Sequence, residues 1–458
     1  MYHKHQRIHF VGIGGIGMSG IAEVLLNLGH QVSGSDLKES DTTRRLAKLG
    51  ARVEVGHHRD HVEGADVVVV SSAVHEDNPE VQGARERLIP VIPRAEMLSE
   101  LMRLKYGVAV AGAHGKTTCT SLVATLLAAG DLDPTVVVGG KVGALGSNAR
   151  LGSGEFLVAE ADESDGSFTR LSPEVVVVTN VDREHMEHYG SDQALDEAFV
   201  EFINKVPFYG AAVLCLDDAR LTGLIPRVNK RTITYGLSSQ ADIQARDPRP
   251  AGMGTQFTLY VRGEAAGQVE LPLPGRHNVQ NSLAALAVAL ELGVDLEAAK
   301  QALANFQGVG RRFEAKGAGP GGCLVVDDYG HHPTEIKATL SAARECWPER
   351  RLVVAFQPHR YSRLRDLFED FTTSFYGADE LLVLDIYAAG EAEDPSVSAE
   401  GLAEAIRAHG HRSVEYVGSR QHAAAKLARL LGPTDVLLTL GAGDVWRLGE
   451  ELVESHAD

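Results

Sequence analysis

A glycine turn between an apolar strand and an apolar helix carries the strongest chemical signal in the sequence. The run reads Val108-Ala-Val-Ala-Gly-Ala-His-Gly-Lys-Thr-Thr118, and the helix is predicted over residues 119–129. Glycines let backbone N–H groups close around phosphate oxygens, and a helix N-terminus adds positive potential. A lysine here reaches the β- and γ-phosphates, while a threonine hydroxyl can bind Mg²⁺. The alternative is a structural strand–helix junction, which the flanking strand and helix disfavour. We predict that ATP binds Gly112, Ala113, His114, Gly115, Lys116, Thr117 and Thr118.

Another glycine-rich turn lies near the N-terminus. Along the chain it is the first glycine turn, and the turn at Gly112–Thr118 is the second. Gly12-Ile-Gly-Gly-Ile-Gly17 follows a strand and precedes a helix, and Asp36 ends the next strand. By pattern this is a dinucleotide-binding fingerprint, with the acidic residue on a ribose hydroxyl. The spacing indicates that a diphosphate can lie on the helix N-terminus, without deciding which nucleotide carries it. Glycines that serve only tight helix–strand packing are the structural alternative.

Composition and charge limit the class of protein and its partners. The 458 residues, 44% of them hydrophobic, suggest roughly three globular domains. A formal net charge of −18 argues against a nucleic-acid or anionic-membrane partner, since either needs a basic face. Four scattered cysteines without a CxxC pair predict reduced thiols rather than disulfides or a zinc site. The N-terminus lacks a signal-peptide pattern, and the apolar helical run at 121–129 is too short to cross a bilayer. We predict a cytoplasmic protein.

Short apolar runs alternate with helical stretches along almost the whole chain. That alternation predicts an α/β fold with largely parallel sheets. Three units are predicted: residues 1–97 as a Rossmann-like domain, 98–314 as a central P-loop ATPase-type parallel sheet domain, and 315–458 as a second Rossmann-like domain. A strand-rich insert is predicted over 231–273, a hinge over 308–314, and a connector bracketed by two prolines over 89–93.

Eight motifs in order along the chain resemble those of the Mur ligase family of peptidoglycan synthesis. They are Gly12-Ile-Gly-Gly-Ile-Gly-Met-Ser-Gly20, Gly112-Ala-His-Gly-Lys-Thr-Thr118, Ala161-Asp-Glu-Ser-Asp165, Thr179-Asn-Val-Asp-Arg-Glu-His185, Gly275-Arg-His-Asn278, Gly310-Arg-Arg-Phe-Glu314, Asp327-Asp-Tyr-Gly-His-His-Pro333 and Gln357-Pro-His-Arg360. The resemblance implies that the first domain binds a UDP-linked sugar, the central domain ATP, and the last an amino acid. The first glycine turn then serves the diphosphate of UDP rather than NAD.

The resemblance also implies roles for single residues. It implies catalytic roles for Lys116, Glu163, His185 and Arg360 and magnesium ligation by Thr117, Glu163 and His185. It implies that the UDP-sugar contacts Gly14, Gly15, Gly17, Ser19, Asp36 and Ser71. It adds Asn278, Arg312 and Asp327 to the ATP site and places Tyr329, His331, His359 and Arg360 on the amino-acid side. Without the family, an isolated Glu163 or His185 is interpreted as a surface or capping residue, Asn278 as a helix cap, and the Arg311–Arg312 pair as solvated charge.

The implied activity is ATP-dependent formation of a carbon–nitrogen bond. L-Alanine is added to the lactyl carboxylate of UDP-N-acetylmuramate through an acyl phosphate, giving ADP and phosphate in peptidoglycan precursor synthesis. His185, His331 and His359 are the candidate proton acceptors, and Arg360, Arg363 and Arg365 the candidate partners of the amino acid's carboxylate. Some family members hold a second magnesium with a carbamylated lysine, a role not assigned to Lys205. The expected partners are these small molecules, and the expected state is a monomer or weak homodimer.

Three other functions compete with this hypothesis. A recycling ligase that attaches a murein tripeptide to the same sugar nucleotide shares almost every motif. The runs Gly14-Gly-Ile-Gly-Met-Ser-Gly20 and Asp327-Asp-Tyr-Gly330 favour the alanine-adding branch. An NAD-dependent dehydrogenase leaves the second phosphate loop unexplained. A non-catalytic nucleotide sensor conflicts with an intact Lys116, Glu163 and His185.

Overall fold

A computed structural model describes residues 5–71, 73–142 and 147–457. The chain divides into two compact units. The first unit comprises Met1–Asp247, Thr258–Val269 and Gln280–Gln307. The second unit comprises Pro248–Phe257, Glu270–Val279 and Gly308–Asp458. Within the described residues, no helix is both long and apolar enough to cross a membrane.

The N-terminal sheet has five parallel strands in the order β3-β2-β1-β4-β5. Its elements are β1 (Arg7–Val11), α1 (Ile16–Asn27), β2 (Gln31–Asp36), α2 (Asp41–Lys48), β3 (Arg52–Val55), β4 (Val67–Val70), α3 (Pro79–Glu86), β5 (Val91–Pro93) and α4 (Arg94–Arg103). The central strands are runs of apolar residues because helices cover a parallel sheet on both faces. The predicted connector at 89–93 contains β5, and its prolines are tolerated because β5 is an edge strand.

The central sheet has ten strands in the order β15-β14-β13-β12-β11-β10-β6-β9-β7-β8. Its strands are β6 (Tyr106–Ala111), β7 (Thr135–Val142), β8 (Ser147–Arg150), β9 (Phe156–Glu160), β10 (Val175–Val178), β11 (Ala211–Cys215), β12 (Thr232–Gly236), β13 (Ile243–Ala251), β14 (Gly254–Val261) and β15 (Glu264–Leu271). Its helices are α5 (Lys116–Ala129), α6 (Met186–Tyr189), α7 (Asp192–Ile203), α8 (Ala219–Leu224), α9 (Arg276–Glu291) and α10 (Leu296–Ala304). Strands β6, β9, β10 and β11 are parallel, so their carboxyl ends share one edge. The strand-rich insert predicted over 231–273 is confirmed as β12 to β15.

The third sheet has six strands in the order β16-β17-β21-β18-β19-β20, parallel except for β16. Its strands are β16 (Glu314–Ala318), β17 (Leu324–Asp328), β18 (Arg351–Phe356), β19 (Glu380–Leu384), β20 (Val414–Gly418) and β21 (Asp435–Leu440). Its helices are α11 (Pro333–Cys346), α12 (Tyr361–Asp366), α13 (Phe368–Thr372), α14 (Ala399–Ala408), α15 (Arg420–Leu430) and α16 (Trp446–Ala457). Val354 and Phe356 pack on one face and Val353 and Ala355 on the other, because side chains alternate along a strand.

The predicted fold class is confirmed, because three α/β sheets with largely parallel strands are present. Two edge strands, β16 and β20, were not predicted, since half-exposed residues and glycines leave them without a continuous apolar run. The domain boundaries at residues 97 and 314 stay predictions. Residue 97 lies inside α4, so a helix rather than a loop crosses the first of them.

Removal of one buried aromatic ring is expected to weaken the third sheet's core. Phe375 is 0% exposed, and its ring centroid lies 4.9 Å from that of Phe356. Phe375→Ala should lower the free energy of unfolding by about 3–5 kcal/mol, because the surrounding side chains cannot close the cavity. Phe208→Ala makes the same change at a ring that is 93% exposed and should shift stability by no more than about 0.5 kcal/mol. Urea unfolding would measure both, and equal effects would contradict this description of the core.

Candidate active site

The turn between β6 and α5 has the backbone geometry of an anion cradle. Gly112 and Gly115 have φ values of +128° and +83°, which side chains rarely adopt. A Cβ on Gly112 would lie 2.1 Å from the Thr179 hydroxyl, and one on Gly115 would lie 2.7 Å from the Asn281 side-chain oxygen. Helix α5 begins at Lys116 without a side-chain cap, so its first N–H groups are available to a ligand. Both glycines are therefore required by the turn.

Residues after β10 hold this turn in place. Asn180 accepts a hydrogen bond from the His114 N–H at 2.9 Å and donates to the His114 carbonyl at 3.0 Å. The Thr179 hydroxyl donates to the same carbonyl at 2.6 Å, and the His114 ring lies 2.9 Å from Asp182. The turn is consequently fixed by side chains more than 60 residues away in the chain.

Lys116 is a buried cation directed at the turn. Its Nζ donates to the carbonyls of Gly112 and Ala113 and lies 2.7 Å from Oε1 of Glu163. Burial alone would lower the pKa of Lys116, but the charges of Glu163 and Glu160 outweigh it and raise that pKa above its usual range. The lysine is therefore positively charged where transferring phosphate oxygens would gather.

Glu163 has one oxygen that no side chain or backbone group satisfies. Its carboxylate is 2% exposed, Oε1 accepts from Lys116, and Oε2 has no hydrogen-bond partner. Burial raises the pKa of Glu163 to about 7, although the charge of Lys116 acts in the opposite direction. Ligand atoms of Glu163, Glu184 and His185 lie within 4.8 Å of one another. A buried carboxylate oxygen without a donor, beside a second carboxylate and an imidazole, fits a divalent cation.

Two acidic residues beside the turn were not singled out in the sequence, Glu160 and Glu184. The Thr117 hydroxyl donates to the Glu160 carboxylate at 3.0 Å, at the end of β9. Glu184 directly precedes His185, and both follow β10. The signal for Glu160 was its position as the last residue of a strand beside the loop, where α/β folds place ligands.

The first glycine turn is held by the end of β2. The N–H groups of Gly12 and Ile13 donate to the Ser35 carbonyl at 2.8 and 2.9 Å, and Gly14 N–H donates to Asp36 Oδ2 at 2.9 Å. Ser71 directly follows β4, so Gly12, Asp36 and Ser71 all lie at the carboxyl edge of the N-terminal sheet. Helix α1 begins at Ile16 and has no side-chain cap. The turn thus ends in open N–H groups, as a diphosphate site requires.

Arg94 links the first glycine turn to the acidic segment after β9 and was not predicted. Its Nη2 lies 2.9 Å from Oδ2 of Asp162, the residue before Glu163. Its Nη1 lies so near Gly17 that a Cβ there would come within 2.3 Å. Arg94 and Asp162 are 68 residues apart, and no local pattern in the sequence indicates the pair. The first glycine turn is therefore linked by a partly exposed ion pair to the acidic segment after β9, whose next residue, Glu163, binds Lys116.

In the second unit, Arg311 is bonded rather than solvated. It donates to Oδ2 of Asp327 at 3.1 Å and to the Gly441 carbonyl at 2.6 Å. Arg312 lies over the Tyr329 ring, 4.7 Å from its centroid. The solvated-pair alternative is therefore wrong for Arg311, which binds Asp327 within the third sheet's carboxyl edge.

The residues expected on the amino-acid side lie together at that same edge. The ring centroids of Tyr329 and His331 are 5.4 Å apart, and those of His331 and His359 are 5.6 Å apart. Arg360 has a φ of +68° and donates its N–H to the Tyr387 carbonyl. Burial, His331 and Arg363 lower the pKa of His359 to about 3. His359 is consequently neutral and hard to protonate.

Three other candidates can be located. Helix α9 begins at Arg276, so Asn278 lies inside its first turn rather than capping it, and its side chain donates to the Pro274 carbonyl. Arg365 pairs with Asp366 and Asp394 as half-exposed surface charge. Lys205 pairs with Glu201 at 3.1 Å, also half-exposed, which agrees with giving it no magnesium role.

Three Mur ligase family models match the chain in order. The Mur ligase family catalytic domain matches residues 7–106, the Mur ligase middle domain residues 110–289, and the Mur ligase glutamate ligase domain residues 311–443. The chain belongs to the Mur ligase family.

Relatives within the family carry more specific names. UDP-N-acetylmuramate–L-alanine ligases of Geobacter sulfurreducens and Desulfatibacillum aliphaticivorans are 60% and 59% identical. The matches cover 98% of this chain and 97% of the first relative, and 100% of both chains for the second. The crystal structure of a UDP-N-acetylmuramate–alanine ligase from Thermotoga maritima matches with a TM-score of 0.83 at 30% identity, over 99% of both chains. A murein peptide ligase from Psychrobacter arcticus shares the fold, with a TM-score of 0.71 at 24% identity over 98% of both chains.

Gly112→Ala should disable the second cradle. The new Cβ would strain a left-handed residue and collide with Thr179, which together cost about 1–3 kcal/mol or more. ATP binding measured by calorimetry should weaken at least about tenfold. Gly252→Ala is the control, since Gly252 also has a positive φ but open space around it, and ATP binding should not change. Unaltered ATP affinity in Gly112→Ala would contradict the assignment of this turn.

The lowered pKa of His359 predicts a loss of stability in acid. Between its ordinary value of 6.5 and the folded value of about 3, the unfolded chain holds one more proton than the folded chain. Unfolding is therefore favoured as the pH falls below about 6.5, by up to about 1.4 kcal/mol per pH unit. In His359→Gln this contribution is absent, so the free energy of unfolding should fall less steeply from pH 6.5 to 4. Parallel slopes for the two proteins would refute the neutral, buried state of His359.

Proposed function

We propose that this chain is an ATP-dependent ligase that adds L-alanine to the lactyl carboxylate of UDP-N-acetylmuramate. The observation that carries the proposal is the pair of glycine cradles in one compact unit, with the Arg94–Asp162 ion pair linking the first cradle to the acidic segment that precedes Glu163. The cradle between β6 and α5 has a Lys116–Glu163 pair suited to phosphoryl transfer. The names and full-length similarity of the relatives support the same activity.

Each of the proposed segments has its own task. Residues 1–97 bind the UDP-sugar at the turn from Gly12 to Gly17, with Asp36 and Ser71 at the same sheet edge. Residues 98–314 bind ATP at the turn from Gly112 to Thr118. Residues 315–458 admit the amino acid beside Tyr329, His331, His359 and Arg360. Free thiols and the acidic net charge agree with a cytoplasmic monomer or weak homodimer that acts on small molecules.

The reaction proceeds in two substitutions. An oxygen of the lactyl carboxylate attacks the γ-phosphorus of ATP, and the bond from that phosphorus to the bridging oxygen of the β-phosphate breaks. ADP departs, and the lactyl group is left as an acyl phosphate. The neutral amine of L-alanine then attacks the acyl carbon, phosphate departs, and the nitrogen loses one proton. Lys116 lies at the cradle mouth as a fixed cation, which stabilises negative charge that spreads over the transferring oxygens.

We propose that Mg²⁺ is held by Glu163, His185 and the Thr117 hydroxyl, with Glu184 as an added ligand. The unsatisfied Oε2 of Glu163 and the close approach of Glu184 and His185 support that fit. When bound, the ion neutralises charge on the β- and γ-phosphates.

Electrostatics at the carboxyl edge of the third sheet reduce the choice among the three histidines that could accept the proton of the amine. A general base works best when its pKa is near the working pH. The pKa of His359 is lowered to about 3, which makes it a weak base at neutral pH. His185 and His331 remain, and we favour His331 because His185 is already proposed for the metal.

A phosphate-release assay distinguishes L-alanine from the murein tripeptide as the amine substrate. With UDP-N-acetylmuramate, ATP and magnesium present, L-alanine should trigger release of one phosphate per amide formed, while the tripeptide L-alanyl-γ-D-glutamyl-meso-diaminopimelate should not. Mass spectrometry of the product distinguishes amide formation from simple ATP hydrolysis. Release with the tripeptide alone would indicate the recycling ligase, and no release with any amine would remove the ligase proposal.

Lys116→Ala should abolish turnover without unfolding the protein. Loss of the cation should lower kcat by at least about a hundredfold, the effect of removing one electrostatic stabiliser of a transition state. Lys205→Ala is the matched control, since that lysine is half-exposed on α7's end and should leave kcat unchanged. Circular dichroism would check folding. If Lys116→Ala kept its activity, or if Lys205→Ala lost it, the roles given to these lysines would be wrong.

A further inference from the structure

Glu80 is a buried carboxylate that the proposed chemistry does not use. It lies in the first turn of α3, and its side chain is 0% exposed. A buried carboxylate costs several kcal/mol of desolvation unless its oxygens receive hydrogen bonds or ion pairs. Glu80 therefore depends on the groups that surround it, and those groups depend on Glu80.

Four polar side chains converge on this carboxylate. The Ser35 hydroxyl donates to Oε2 at 2.5 Å, and His61 Nδ1 lies 2.6 Å from Oε1. His57 Nδ1 lies 3.2 Å from Oε2, and His9 Nε2 lies 3.7 Å from it. Burial alone would raise the pKa of Glu80, but His9, Ser35 and His61 outweigh it and lower that pKa to about 2. Glu80 is consequently ionised.

The cluster does not have the geometry of a metal centre. Among the residues that the structure describes, the groups whose ligand atoms converge within 4.8 Å do not include Glu80 or these histidines. The carboxylate instead receives a hydroxyl and imidazole nitrogens at hydrogen-bond distance. These contacts join Glu80 to side chains from other parts of the N-terminal sheet domain.

Ser35 connects this cluster to the first glycine turn. Its hydroxyl is bound by Glu80, while its carbonyl accepts the N–H groups of Gly12 and Ile13. The next residue, Asp36, accepts the Gly14 N–H at 2.9 Å. Three consecutive N–H groups of the turn are thus fixed by two residues at the end of β2, and Glu80 fixes the first of those residues from 45 positions away.

We propose that Glu80 is a positioning residue for the sugar-nucleotide site and acts through Ser35 to hold the Gly12–Gly14 turn in its binding geometry. The inference rests on the proposed use of that turn for the diphosphate of UDP. The N–H groups of Gly12–Gly14 are bonded to Ser35 and Asp36, so the donors left for a ligand are those at the start of α1, which this turn orients. Such donors bind tightly only if they are oriented before the ligand arrives, since otherwise binding must supply the ordering. The side-chain hydrogen bonds described for Glu80 go to Ser35 and to histidines outside the site of phosphoryl transfer, so its loss should weaken nucleotide binding and leave the chemical step intact.

Calorimetry with UDP on the full-length protein tests this role. Glu80→Gln keeps the shape but removes the charge, and Ser35→Ala removes only the connecting hydroxyl. Each should weaken UDP binding and raise KM for UDP-N-acetylmuramate on the order of tenfold, as loss of an outer support of a binding group does. The kcat at saturating substrates and the KM for ATP should not change. Glu86→Gln, an exposed glutamate on the same helix, should match the wild type.

The double variant separates positioning from general destabilisation. If Glu80 acts through Ser35, Glu80→Gln with Ser35→Ala should bind UDP no more weakly than the worse single variant. Additive losses, or equal losses of UDP binding and kcat together, would overturn the inference. Wild-type affinity for UDP in both single variants would overturn it as well, while leaving the proposed function intact. If the wild type itself does not bind UDP, the proposed function of the first cradle is wrong and the inference falls with it.

Discussion

The buried pair of Lys116 and Glu163 is the interaction on which the central site depends. A lysine and a glutamate taken out of water are stable only when every charge has a partner. Lys116 meets this need with two carbonyls of its own turn and one carboxylate oxygen. Those partners exist because β6 and β9 are parallel neighbours whose carboxyl ends carry the turn and the acidic segment to one edge. The sheet topology is therefore what permits a cation and a partly unsatisfied carboxylate to coexist there.

The net charge of −18 makes this local construction necessary. A chain with an overall negative field repels nucleotides at long range, so binding must come from short-range groups. Open backbone N–H groups at the starts of α1 and α5 supply neutral donors, and Lys116 and Arg94 supply single fixed charges. Anion binding by oriented dipoles survives in an acidic protein because it does not depend on the total charge.

Local sequence patterns predicted the parts of the site that depend on local geometry. Both glycine turns and the strand–turn–helix order around Lys116 were predicted, because a left-handed backbone and a helix start are properties of neighbouring residues. Glu163 and His185 were located after strand ends, although their proposed roles came from the family resemblance. The three α/β units and the strand-rich insert at 231–273 followed from the alternation of apolar runs and from turn signals.

Partners across the fold could not be predicted in the same way. The Ser35–Glu80, Thr117–Glu160 and Arg94–Asp162 contacts join residues 45, 43 and 68 positions apart. Spacing along the chain carries no signal for such contacts, because tertiary packing decides which helix meets which strand end. Asn278 shows a related limit at helix ends. Helix α9 begins at Arg276, two residues before Asn278, so this candidate cap is a residue of the first turn.

The absence of a side-chain cap on the two helices that follow the glycine turns has a consequence for how this protein behaves without its substrates. Most helices here that begin with Ser, Asp or Asn bind their own first N–H groups, as Ser40, Ser191 and Asp295 do. Helices α1 and α5 have no such side-chain cap. Under the proposed function the nucleotides' phosphates would accept from these N–H groups, and a ligand present at a hundred times its dissociation constant would add about 2.7 kcal/mol to the free energy of unfolding. The temperature at which the protein unfolds would then rise with the fraction of molecules that hold nucleotide. In cells with abundant sugar nucleotide the enzyme would be more stable than in starved cells.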